Sequence, residues 1–252
     1  MEYRVFPMDG QTWRIEEYDE STSVYMYLLA GSKRAILIDT GMGIINVSQV
    51  VWGLTDLPVE VLNTHGHFDH IGGNSLFDVA YMHRAEEPVY RLHSSDAVRG
   101  GFPYRFRPAR DNIRWIGDGE EFDLGGRTLQ VIWTPGHSLG SVCVLDVERR
   151  QCFTGDTCCK ADVLLMMEYC TTVAEYAETI RHLQSLRSEF DVTWPGHHTA
   201  PVPPNILDQF EEAAALLCRG EAEGVLYETP VGSCLRFPYQ DIAIDYEADR
   251  IH

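Results

Sequence analysis

The stretch His65-Gly66-His67-Phe68-Asp69-His70 sets three imidazoles and a carboxylate within six residues, directly after the apolar run Val59 to Leu62. Neutral imidazole and carboxylate are good ligands for zinc and similar divalent ions. On an extended segment His65 and His67 share one side and Asp69 joins them, yet a common ion requires the chain to curl so that their tips converge. Gly66 makes that curl cheap, and Gly72-Gly73 then lets the backbone turn away. The plainer alternative is a solvated loop rich in histidine, and the rest of the chain argues against it. Three further donors each follow a strand-like run and a small glycine turn: His137 in Pro135-Gly136-His137-Ser138, Asp156 in Thr154-Gly155-Asp156-Thr157, and His197 in Pro195-Gly196-His197-His198. One such residue alone reads as an ordinary loop side chain. Together with the first stretch they read as one metal-binding set.

The elements that must present these residues follow from the pattern of apolar positions. Strands are expected over Gln11–Glu17, Ser23–Leu29, Arg34–Ile38, Val59–Leu62, Phe77–Met82, Arg114–Ile116, Arg127–Trp133, Ser141–Val147, Gln151–Thr154 and Asp191–Trp194. Helices are expected over residues 44–54 and over Arg84–Leu92, where Pro88 falls in the first turns. Thr172 and Glu175 make a capping box, and Val173, Tyr176, Ile180, Leu183 and Leu186 form an apolar stripe behind it. That stripe reads as core packing. A further helix carries Ile206, Leu207, Phe210, Ala214 and Leu217 on one face and stops at Gly220. The tail, 225–252, reads as a hairpin and an extended end. Two β-then-α series of this kind suit a sandwich of two sheets with helices on both outer sides. The expectation is a single α/β domain over 1–252, with a core of about 11–200 and a C-terminal extension over 201–252.

Composition narrows the partners. The chain has 252 residues, 44% of them hydrophobic, and a formal net charge of -18 from 20 Lys+Arg against 38 Asp+Glu. So acidic a surface repels phosphate backbones and anionic lipid headgroups, which disfavours nucleic-acid and membrane partners. No stretch reaches the roughly 18 apolar residues of a membrane span, and the start lacks an apolar leader, so a cytoplasmic protein is expected. Seven cysteines do not pair into a framework and fit a reducing compartment. Oligomeric state stays open between monomer and homodimer.

The segment 93–112 breaks the pattern, with Gly100-Gly101, Pro103 and Pro108 among Phe102, Tyr104, Phe106 and Arg99, Arg105, Arg107 and Arg110. It reads as a lid loop. Its arginines suit a carboxylate or phosphate of the substrate, and equally suit ion pairs that pin the loop. Tyr104, Arg105, Arg107, Arg110 and Lys160 are therefore the substrate-binding candidates. Cys158 and Cys159, next to Asp156, read as small buried groups. His198 is a competitor of His197, while His83, His93, His182 and His252 lack a ligand-like context.

The order His65-x-His67-x-Asp69-His70, then His137, Asp156 and His197, resembles the metallo-β-lactamase-fold hydrolases from about residue 20 to 200. Thr134-Pro135-Gly136-His137-Ser138-Leu139-Gly140-Ser141 is most similar to the glyoxalase II branch. The resemblance implies an αββα four-layer sandwich and two divalent ions, zinc foremost, with iron or manganese as alternatives. It gives His65, His67 and His137 to one ion, Asp69, His70 and His197 to the other, and Asp156 to both. Asp39 would support the metal loop without ligating. Asp69 and Asp156 are the candidate catalytic residues.

Two such ions acidify a bound water and polarise the bond it attacks, so no serine or cysteine nucleophile is needed. The implied activity is hydrolysis of an ester-type bond, thioester or lactone, in a small and anionic molecule. A phosphodiesterase on the same centre is the alternative within hydrolases, and an iron-dependent oxidoreductase or dioxygenase the alternative outside them. A non-catalytic binding module fits less well, since every ligand position is filled. The resemblance also has gaps. True β-lactamases with Asp-His in the first motif lack the bridging aspartate, and similar lactonases carry a tyrosine where Cys158-Cys159 stand. The basic C-terminal motif of glyoxalase II has no match beyond Arg236 and Arg250. The diiron reductases carry glutamate where His67 stands, and an additional flavodoxin domain.

Overall fold

The computed structural model describes residues 2–18, 22–100, 105–108, 111–229 and 231–252. They fall into two compact units, 1–131 and 132–252.

The first unit opens with β1 (Glu2–Asp9), β2 (Thr12–Tyr18), β3 (Ser23–Ala30) and β4 (Ala35–Ile38). Then come α1 (Val47–Trp52), β5 (Val59–Leu62), β6 (Ala80–His83), α2 (Glu87–His93), α3 (Asp96–Arg99), β7 (Ile113–Ile116), β8 (Glu121–Asp123) and β9 (Thr128–Trp133), which runs on into the second unit. Strands β1 to β7 form one sheet in sequence order, antiparallel through β4 and parallel from β4 to β7. Parallel strands are covered on both faces and so read as continuous apolar runs. Ala35-Ile36-Leu37-Ile38 is such a run and is buried throughout. The parallel register sets Ile38 beside Leu62, so the loops leaving β4 and β5 emerge side by side at the carboxyl edge of the sheet. Binding sites of open α/β sheets lie beyond that edge. There Gly72 packs so closely that a Cβ would stand 2.2 Å from the Met42 carbonyl carbon.

The second unit holds β10 (Val142–Asp146), β11 (Gln151–Gly155), β12 (Asp162–Leu165), α4 (Val173–Ser185), β13 (Val192–Pro195), α5 (Ile206–Cys218), β14 (Val225–Thr229), β15 (Gly232–Tyr239) and β16 (Ile242–Tyr246). Strand β11 lies between antiparallel β10 and parallel β13. A separate four-stranded sheet runs β12-β16-β15-β14. The capping box at Thr172 and Glu175 starts α4 as expected. Tyr176, Ile180 and Leu183 of α4 join Ile206, Phe210 and Leu217 of α5 in one buried cluster with Cys152, Ile244 and Tyr246.

Several elements depart from the sequence expectation. β1, β8 and β12 were not foreseen. Phe6-Pro7-Met8 interrupts the alternation of β1, and β8 and β12 are only three and four residues long, so none carries a strong periodic signal. The strand expected from Phe77 begins only at Ala80, because a 3-10 turn over Asn74–Leu76 holds Phe77 by its amide. The helix expected from Arg84 opens as a 3-10 turn capped by His83. The extended C-terminal end is β16, paired in parallel with β12.

Truncating Ile180, fully buried between α4 and its cluster, leaves a cavity. Ile180→Ala is expected to lower unfolding free energy by about 2–5 kcal/mol, against less than about 0.5 kcal/mol for Arg181→Ala next to it. Urea denaturation of the pair measures the contrast.

Candidate metal centre

In the first unit the donors leave β5 on one short loop. Asp39, at the end of the neighbouring β4, organises it. One carboxylate oxygen accepts the Thr64 amide at 2.8 Å, and the other accepts the Thr64 hydroxyl at 2.7 Å and Nδ1 of His70 at 2.9 Å. Since the Thr64 hydroxyl proton is given to Asp39, its oxygen is left to accept Nδ1–H of His65 at 3.0 Å. This chain of donors places the Nδ1 proton on both His65 and His70 and leaves each Nε2 with a lone pair. The His65 ring lies 4.1 Å from that of His70 and 4.6 Å from that of His67, centre to centre. The Asp69 carboxylate stands 3.8 Å from Nε2 of His70. All three histidines are buried, and the Asp69 side chain is one-fifth exposed. Asp39 takes a left-handed backbone (φ 59), which aspartate tolerates better than most residues and which aims its side chain across at β5.

Below that loop a buried amide pair closes the turn. Asn63 Nδ2 donates to the His70 carbonyl at 3.0 Å, Asn74 Nδ2 donates to Asn63 Oδ1 at 2.8 Å, and Thr40 donates to Asn74 Oδ1 at 2.7 Å.

In the second unit the structure brings His137, Asp156 and His197 together. The parallel pairing of β11 with β13 sets Gly155 beside Pro195, and Gly196 donates to the Gly155 carbonyl at 2.8 Å. Nε2 of His137 and Nε2 of His197 lie 3.5 and 3.6 Å from the same oxygen of Asp156, Oδ2. Nδ1 of His137 donates to the Leu164 carbonyl at 3.0 Å, so its Nε2 turns a lone pair towards the carboxylate. Two acceptors facing across that gap are relieved by a cation between them. In a tetrahedral zinc site with bonds of about 2.0–2.1 Å, neighbouring ligand atoms stand roughly 3.3–3.4 Å apart. The donor set and its spacing therefore fit a divalent metal.

Helix α4, read from the sequence as core, also holds both turns of this half. Tyr176 donates its hydroxyl to the Thr157 carbonyl at 2.8 Å, and its ring occupies the space where a Cβ on Gly136 would stand, 2.6 Å away. Thr179 donates to the Pro135 carbonyl at 2.5 Å. Cys170 donates from Sγ to the carbonyl of His137 at 3.0 Å.

Residues 20–198 match the model of the Metallo-beta-lactamase superfamily. This chain belongs to that superfamily. Among curated relatives, the acyl-coenzyme A thioesterases MBLAC2 of Bos taurus and Homo sapiens are each 30% identical over 220 residues, covering 75% of this chain and 78% of theirs. The atrochrysone carboxyl ACP thioesterase of Aspergillus fumigatus is 30% identical over 183 residues, 68% of this chain and 49% of that one. A metallo-beta-lactamase from Pontibacter korlensis superposes with a TM-score of 0.63 at 18% identity, covering 85% of this chain and 99% of its own. The fold is thus the mixed α/β fold of the superfamily, as the resemblance implied, and the expectation of a hydrolase agrees with these relatives. The curated relatives named here are described as thioesterases.

The remaining candidates of the superfamily chain divide. Arg99, one of the lid arginines, is buried and donates to the carbonyls of Phe68, Met42 and Phe106 at 3.0, 3.3 and 3.1 Å, which is the loop-pinning role. Arg107 pairs with Asp96, both well exposed. Arg105 is exposed and ties the loop down by its amide, 2.9 Å from the Gly43 carbonyl. Tyr104 and Arg110 lie outside the described residues. Lys160 pairs with Asp241 at 3.4 Å. Cys158 and Cys159 are buried, and burial pushes both thiols up, away from the reactive thiolate. His198 is left-handed (φ 65), and it is His197 that faces Asp156. His93 was set aside from sequence, yet its ring lies 4.4 Å from that of His67. A single histidine ending a short helix carries no motif by which it could have been found. No described helix is long and apolar enough to cross a membrane.

Replacing Asp39 by Asn keeps the shape but turns one acceptor into an NH2 that cannot accept from both Thr64 and His70. Asp39→Asn is expected to weaken zinc binding about 10–100-fold, read by competition with a chromophoric chelator. Unchanged affinity would remove Asp39 from the ordering of the metal loop.

Proposed function

We propose that this chain is a metal-dependent hydrolase of acyl thioesters, with coenzyme A or a related carrier as the leaving thiol. The observation that carries the reading is the coincidence of two features. His65, His70 and His137 have their Nδ1 atoms already engaged, and 75% of the chain matches acyl-coenzyme A thioesterases at 30% identity. In this reading His65, His67 and His137 hold one divalent ion and Asp69, His70 and His197 hold a second, with Asp156 serving both. The near-equal distances of His137 and His197 from one oxygen of Asp156 support that shared role. Zinc is the first choice for such a donor set, with iron and manganese compatible.

Bound there, the ions would supply Lewis acidity towards the thioester carbonyl and lower the pKa of a water between them. The residues do the rest. Asp39 and the Leu164 carbonyl fix the tautomers of His70 and His137, so that neither imidazole competes for the proton in flight. Asp69 is more exposed than the histidines beside it and is the group placed to orient the attacking water or take up its proton. Water adds to the acyl carbon, the carbon–sulfur bond breaks, and the proton is passed to the departing thiolate. The products are a carboxylic acid and a free thiol. Thioester is favoured over lactone by the named relatives and by the absence of a tyrosine at Cys158-Cys159. The substrate-binding candidates are Arg107, whose surface pairing with Asp96 is worth only about 0–1 kcal/mol and so yields readily to an anionic ligand, together with Tyr104, Arg105, Arg110 and Lys160.

The test is turnover of a panel by the purified protein, with and without chelator: short- and long-chain acyl-coenzyme A, an acyl lactone and a bis-aryl phosphodiester. Chelator-sensitive release of free thiol is expected from an acyl-coenzyme A. Turnover of the phosphodiester alone would replace the thioesterase reading. Asp156→Ala is expected to lower bound metal from two ions per chain to one or none, by elemental analysis, and to reduce thiol release at least about 10³-fold, as for loss of a group central to transition-state stabilisation. Full turnover with one ion bound would end the dinuclear assignment.

A further inference from the structure

The sequence marks the metal loop by its ligands, but two side chains outside every motif grip its backbone. Glu86 is wholly buried and accepts the Gly66 amide at 2.8 Å. Arg99 is almost wholly buried and donates to the Phe68 carbonyl at 3.0 Å. These are the residues immediately before and after His67. The two side chains flank α2, and α2 itself lies against the same loop: a Cβ on Gly66 would stand 2.9 Å from the Tyr90 nitrogen, and the His93 ring at its end lies 4.4 Å from that of His67. We infer that Glu86 and Arg99 are paired positioning residues that bracket His67 and set the direction in which it presents its ligand nitrogen. The inference rests on the metal-dependent reading above.

The Gly66 amide belongs to the 65–66 peptide unit and the Phe68 carbonyl to the 68–69 unit, one residue out from His67 on each side. A loop peptide is free to rotate as a unit, with its amide and the preceding carbonyl swinging together. Holding the Gly66 amide by a carboxylate and the Phe68 carbonyl by a guanidinium fixes the chain on both sides of the histidine with charge-assisted hydrogen bonds, about twice as strong as neutral ones. Both grip main-chain atoms of the loop, which is a positioning role. Both are costly to bury, and a purely packing role would have been met by apolar residues. The same guanidinium also holds Met42 and Phe106 by their carbonyls, which ties the metal loop at Phe68 to the loop after β4 and to the 105–108 segment.

Zinc affinity of the full chain, measured by chelator competition without substrate, tests this. Glu86→Ala is expected to bind zinc about 10–100-fold more weakly, and Arg99→Lys, which reaches fewer carbonyls, at least about fivefold more weakly. Glu86→Gln keeps an oxygen for the Gly66 amide and is expected to stay within about threefold of the parent. Glu87→Gln, a neighbouring surface position, serves as the unaffected control. Cobalt in place of zinc gives a second readout: the visible bands of the Glu86→Ala protein should shift and weaken, while those of Glu86→Gln should not. If Glu86→Ala loses its cooperative thermal transition in chelator, Glu86→Asp replaces it, since the shortened carboxylate no longer reaches the amide. Native zinc affinity in either of these variants, or a Glu86→Gln protein as weak as Glu86→Ala, overturns the inference. Failure of the parent itself to bind zinc or cobalt would instead strike the metal-dependent reading.

Discussion

A carboxylate taken almost entirely out of water is the constraint on which the donor loop of the first unit depends. Asp39 is buried to about one per cent exposure, and a bare charge at such a site costs several kcal/mol. The Thr64 amide and hydroxyl and the His70 ring offset that cost together. In doing so they determine where two imidazole protons sit. The parallel pairing of β4 with β5 is what makes the arrangement reachable, because it sets the residue after Ile38 beside the loop after Leu62. Register, burial and tautomer form one causal sequence here.

The second unit orients its donors with other parts. A main-chain carbonyl, that of Leu164, fixes His137, and the parallel step from β11 to β13 brings His197 to Asp156. A helix rather than a carboxylate supplies the rigidity. Tyr176 and Thr179 lie on successive turns of α4 and hold the Asp156 and His137 turns by main-chain carbonyls. The apolar stripe of α4 thus anchors the helix in the core, while two polar atoms on that buried face restrain the turns that carry ligands. The expectation that the stripe was packing and nothing else was incomplete for a physical reason: a tyrosine can bury its ring and still spend its hydroxyl on a neighbour.

Positive charge offers the same lesson. In a chain of formal charge -18 the run from Arg99 to Arg110 invites a reading as an anion clamp. Arg99 departs from that reading. Its guanidinium is buried among three carbonyls, where five donors on a planar fork can organise several chain segments at once. Arg107 is on the surface beside Asp96. Both roles are available to arginine, and only burial tells them apart.

The candidate donors could be named from sequence because metal chemistry restricts the residue types and the glycine turns restrict their placement. Membership of the superfamily and most of the strands and helices were legible for a similar reason, since each has a local period or punctuation. The sequence alone determined which residues can bind an ion and the order in which they come. Tertiary structure decided which nitrogen each histidine has to offer, which helix restrains each turn, and that Glu86, His93, Arg99 and Tyr176 belong to the surroundings of the centre. Those contacts join residues 19 to 31 positions apart through common side chains and main-chain groups, and hydrogen bonds of that kind leave no spacing for a sequence to show.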